Sequence, residues 1–112
     1  MERRYSDYTV EELRDEIGRL KEKVQKAEQM GNISEYAIYE RKIHMALAYT
    51  MNPGDFKPNE VYEIHGDPGQ KFKIDYLNGV FAWGNRINLT GDKLEDQEAL
   101  PISLLNKKVR ES

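Results

Sequence analysis

The hydrophobic period of this chain changes once, near residue 60, and that change argues against both an all-helical and an all-β fold. Before it, Val10, Leu13, Ile17, Leu20, Val24 and Ala27 recur at spacings of three and four, the stripe of an amphipathic helix. Thr9-Val10-Glu11-Glu12 has the form of a capping box, with the Thr9 hydroxyl and Glu12 carboxylate each taking a backbone amide. Gly31-Asn32 supplies a left-handed stop, which predicts a helix over about residues 10–30. A second helix is expected from Ser34, a candidate N-cap, to just before Asn52-Pro53-Gly54. Its apolar residues Tyr36, Ala37, Ile43, Ala46 and Leu47 cover a wide arc, as needed to meet two surfaces. The short connection predicts antiparallel neighbours. The stripe of the first helix then packs on the second or recruits another copy of the chain into a bundle.

After residue 60 the pattern is that of strands. Val61–Ile64 is strand-like, Gly66-Asp67-Pro68-Gly69 is a turn cluster, and Lys71–Tyr76 alternates. That alternation predicts Phe72, Ile74 and Tyr76 inward and Lys71, Lys73 and Asp75 outward. Asn78-Gly79 predicts a type I′ hairpin turn, since both residues tolerate positive φ. Val80–Gly84 returns with apolar residues on both faces, Val80 and Ala82 on one, Phe81 and Trp83 on the other, so it needs cover on both. Gly84 fits a bend. Asn88–Gln97 reads as a mobile polar loop turning at Gly91-Asp92, and Ala99–Leu105 as an apolar segment that Pro101 confines to an edge or a strand start. The charged tail from Asn106 is expected to fray. Four or five short strands in this length predict a small barrel of the SH3-like type, with an open antiparallel meander as the competing arrangement.

The fold class expected is therefore α+β, an N-terminal antiparallel helical hairpin (1–55) packed on a C-terminal small SH3-like β-barrel (56–112) as one unit. Burial of roughly two-thirds of the unfolded surface stabilises 112 residues without staples. There is no cysteine, which excludes disulfides and thiolate metal sites and favours a cytoplasmic location. The charged opening offers no apolar stretch of a signal peptide, and no apolar run has the length of a membrane span.

Chemistry is sparse. His44 follows Glu40 by one helical turn, but a metal site needs three or four converging donors and no further ligand matches, so no metal or cofactor is expected. Ser6, Ser34 and Ser103 stand in no nucleophile context, and the glycines form no phosphate loop. An enzyme is not expected. The net charge of −3 is spread evenly, without the basic module common in nucleic-acid binders. Arg19, Lys23 and Lys26 share one helical face, readable as a phosphate track or as a solvated face partnered by neighbouring acids. Lys71 and Lys73 form a second basic pair. The aromatic residues Tyr62, Tyr76, Phe81 and Trp83 all come from the β module, as core or as a recognition surface.

Four segments carry a family resemblance: Met1–Ser6, the stretch Glu40–Ile43 with Met45-Ala46, Tyr76–Gly84 and Glu98–Leu105. Together they resemble the YfhH family of small proteins of Bacillus-type bacteria over nearly the whole chain. The resemblance implies a helical hairpin joined to an SH3-like barrel and, from a label carried by some members, a transcriptional regulator. It implies no catalytic or binding residues. The function expected is a non-enzymatic interaction module that binds a protein partner through Trp83, Phe81, Tyr62 and Tyr76 and self-associates through its helices. The alternative is nucleic-acid binding through Arg19, Lys23, Lys26, Lys71 and Lys73.

Overall fold

A computed structural model of the chain describes residues 3–94 and 96–109 and divides into two compact units, Met1–Thr50 and Met51–Ser112. The division falls at 50/51 rather than 55/56. The turn Pro53–Asp55 leads directly into Phe56, whose ring stands 5.2 Å from that of Tyr62 on the first strand, so both belong with the strands. The fold class is α+β: two helices followed in the chain by a five-stranded antiparallel sheet.

In the first unit, α1 spans Val10–Gln29 and α2 spans Ile33–Ala48. The capping box forms as its residues dictate, the Glu12 amide donating to Thr9 Oγ1 at 3.1 Å and the Thr9 amide to Glu12 Oε1 at 3.0 Å. At the other end Gly31 takes φ +69°, which lets the Asn32 amide reach the Ala27 carbonyl and the Gly31 amide the Glu28 carbonyl. Asn32, rather than Ser34, then caps α2, its side chain accepting from the Glu35 amide at 3.1 Å. One residue thus closes one helix and opens the next. Leu13, Ile17 and Leu20 of α1 bury against Ile43 and Ala46 of α2, with Tyr5, Tyr8, Val24 and Tyr39 at the margins. Each large apolar side chain buried here stabilises by about 1.5–3 kcal/mol. From Leu13 to Ala27 the stripe is therefore covered within one chain, while Val10 at its start is exposed. The wide arc of α2 is only half used, since Ile33, Tyr36, Ala37 and Ile38 are exposed.

In the second unit the sheet order is β4-β3-β2-β1-β5, formed by β1 (Val61–Ile64), β2 (Lys71–Asn78), β3 (Phe81–Ile87), β4 (Glu98–Pro101) and β5 (Leu105–Lys108). The core is Phe72, Ile74, Ala82 and Ile102, all fully buried, with Tyr62, Ile64, Leu100 and Leu105 around them. Two turns differ from expectation. Asn78 pairs with Phe81, so the β2–β3 loop is Gly79-Val80 and Gly79 alone has positive φ, +60°. That is the geometry of a type II′ turn, in which a glycine leads and Val80 is left free to bury. The tail expected to fray from Asn106 instead enters β5, which pairs with β1, and its residues 110–112 lie outside the described residues. Tyr62 stands opposite Lys108 and Ile64 opposite Leu105, and Lys108 pairs with Glu60. The stretch after β3 is organised by Asn88, whose side-chain oxygen accepts from the amides of Thr90 and Asp92, with Gly91 at φ +90°.

Candidate functional site

The outer face of β2 and β3 is shaped by one extra residue. From Lys71↔Ile87 to Ile74↔Gly84 the register is regular, then Tyr76 pairs with Trp83, leaving Asp75 without a counterpart. This β-bulge reverses the inside–outside phase of β2 beyond Ile74. Tyr76, expected inward by alternation, is consequently 46% exposed. Its ring stacks on that of Trp83, with centroids 6.0 Å apart and planes within 6°. Phe81, two residues before Trp83 on β3, shares this face and is half-buried. Gln97 donates to the Asp75 carboxylate at 2.8 Å and so ties the bulge to the segment before β4. Neither Asp75 nor Gln97 carries a sequence signal for this role.

Tyr62 is separated from the other three aromatics. It is 5% exposed, and its hydroxyl donates to Glu60 Oε1 at 2.7 Å. Burial, then that bond to a carboxylate, raises its pKa. It is a core residue, and the candidate face consists of Trp83, Tyr76 and Phe81.

The basic candidates also divide. Arg19 is paired with Glu16, and Lys23 lies 5.5 Å from the centre of the Tyr39 ring, so two of the three α1 cations already have partners. Lys26 is exposed in the last turn of α1. Lys73 stands opposite Asn85 and Lys71 opposite Ile87, and paired residues share a face. Alternation along β3 then puts both lysines on the face that carries Trp83. Inside the sheet's other face, Arg86 is held by Glu98 at 2.8 Å, by Gln70 at 3.0 Å and by Asp67. Burial opposes its charge, and the bonds to Glu98 and Asp67 more than offset that, raising its pKa.

No group of three or more His, Asp or Glu side chains is placed to hold a metal among the described residues. His44 Nε2 lies 3.6 Å from Glu40 Oε2 as a simple one-turn pair.

Comparison with known proteins sets this geometry in a family. A family model described as a protein of unknown function, DUF1811, matches residues 3–106. The chain belongs to the DUF1811 family. Within reach of that family lies the uncharacterized protein YfhH of Bacillus subtilis (strain 168), 51% identical over 108 residues and covering 96% of this chain and 99% of the relative. The resemblance read from the four sequence segments is thereby shown.

Proposed function

We propose that this DUF1811 protein is a non-enzymatic, cytoplasmic interaction module whose outer β2–β3 face binds a protein partner. The observation that carries the reading is the parallel Tyr76–Trp83 stack, held open on a rigid sheet by the Asp75 bulge. Aromatic residues presented this way offer large contact area at low entropic cost, the usual make-up of an interface hot spot. We read the sheet as a small SH3-like barrel. Its support is a meander, β1 to β4, after which the 3-10 turn Ile102–Leu104 leads into β5, which pairs with β1. A flat, open sheet in a crystal structure would overturn that assignment. Self-association is supported by Met30, Ile33 and Ile38, which are 73%, 83% and 51% exposed. Sedimentation that finds only monomer at high concentration removes it.

The test of the binding face is an affinity pull-down from native cells with wild type, Tyr76→Ser and Trp83→Ala, at low and high salt. The expected result is a set of partners retained by wild type at both salts and lost by both variants while their circular dichroism is unchanged. Partners kept by both folded variants would rule the face out. A second reading, a transcription-linked nucleic-acid binder, is favoured by one observation: Lys71 and Lys73 share the face with the aromatic stack. Its mark is binding that falls steeply with salt, and failure to retard any DNA or RNA at low salt removes it.

A further inference from the structure

The helical unit carries a pocket of about 400 Å³ that none of the expected sites includes. Its floor is apolar and aromatic, made by Tyr5, Met45 and Tyr49, and its rim is cationic, made by Arg4, Arg41 and Lys42. Local structure brings these distant residues together. Arg41, Met45 and Tyr49 recur every four positions along α2 and onto its C-cap, while Arg4 immediately precedes the 3-10 turn Tyr5–Asp7. Tyr5 is fixed in turn, its hydroxyl donating to Glu16 Oε2 at 3.1 Å.

What distinguishes this pocket is uncompensated charge. Among the described residues three cations line it and no carboxylate does, in a protein whose net charge is −3. None of the three enters an ion pair among the described residues, whereas Arg3, Arg19, Arg86 and Lys108 each have a carboxylate partner. The neighbouring cleft on the same unit shows the contrast: there Arg3 pairs with Glu12 and Arg19 with Glu16, and the site neutralises itself. Clustered like charge beside a low-dielectric floor repels itself and concentrates anions. Guanidinium forks match a phosphate's oxygens two at a time. Tyrosine and methionine beside them take the face of a planar ring. The volume lies in the range of small-molecule sites.

We propose that this pocket binds a nucleoside phosphate, its phosphate on Arg4, Arg41 and Lys42 and its base against Tyr49 and Met45. The experiment is an NMR titration of the full-length chain with ADP, followed through backbone amides. The expected result is saturable shifts centred on Arg4, Arg41, Lys42 and Tyr49. Affinity should fall about tenfold or more in Arg41→Ala and in Arg4→Ala, each removing one charge-assisted contact. A Lys21→Ala control, which removes a charge elsewhere on the unit, leaves it unchanged. Adenosine and inorganic phosphate, titrated separately, should each bind at least about tenfold more weakly than ADP. Three outcomes overturn the proposal: no saturation at these amides at millimolar ADP, equal affinity for inorganic phosphate, or an oligonucleotide bound here that ADP does not displace. The last assigns the cations to a nucleic-acid track instead. Two substitutions in separate segments, Arg4 and Arg41, guard against loss of binding through misfolding of either one.

Discussion

At Gly84 an added Cβ would collide with the carbonyl oxygen of Lys73 and come within 3.1 Å of the Ile74 Cα. Both obstacles are backbone, which does not rotate away. Gly84→Ala should therefore destabilise the β unit by about 3 kcal/mol or more, read as a lowered urea midpoint. Gly18 is the opposite case. It sits in the exposed interior of α1 with nothing within 4 Å of its missing Cβ, so Gly18→Ala should stabilise by up to about 1 kcal/mol through helix propensity alone. Sequence already marks both glycines as anomalies inside regular elements. It does not distinguish them, because the difference lies in what a non-local neighbour does at each position.

Among the elements, α1 was the most legible, since the capping box and the Gly31-Asn32 stop are local chemistry that tertiary contacts have no reason to override. The capping box also fixes an acid sensitivity. Arg3, then the Thr9 amide, holds the Glu12 carboxyl down to about 2, and Lys108, then the Tyr62 hydroxyl, holds Glu60 down to about 2. Folded protein then binds fewer protons than unfolded between pH of about 4.5 and about 2, so stability is full above that window and declines as pH falls through it. Glu12→Gln keeps a side chain that can cap but cannot ionise, so urea midpoints measured from pH 5 downwards should fall less steeply than in wild type. An unchanged acid limb would show that the Glu12 contribution is screened out. Elements whose existence depends on a partner were harder to read. β5 is built from Leu105-Asn106-Lys107-Lys108, a tail by composition, and becomes a strand only because β1 presents an unfilled edge. The phase of Tyr76 was lost for a related reason: Asp75 suits solvent in either phase, so the bulge leaves no mark on the polar–apolar pattern.

Across the whole molecule the two candidate surfaces belong to different compact units and to different physics. One is aromatic and on the sheet; the other is cationic and on the helices. Raising salt from low to physiological strength should leave capture by the Tyr76–Trp83 face nearly unchanged while weakening ADP binding severalfold, which calorimetry or NMR at two ionic strengths would read. No helix among the described residues is long and apolar enough to cross a membrane. The aromatic face was partly legible, because three of its four expected residues lie within eight positions of one another around one hairpin. The cationic pocket was not, because Arg4 and Arg41 meet only after the chain has folded back on itself.

The bulge at Asp75 has a consequence for how this protein can vary over generations. An extra residue is an insertion of one codon, and its loss would restore an even ladder while leaving Tyr76 opposite Trp83 on the outside. The same loss is expected to straighten β2 and so to move the Lys73 carbonyl and the Ile74 Cα, which crowd position 84 from beside the bulge. A lineage that sheds this codon should be released from glycine at 84, whereas one that keeps it should not. Length at one strand and residue identity at the next are therefore expected to be inherited together, a linkage that a double variant lacking Asp75 and carrying Gly84→Ala would display as recovered stability.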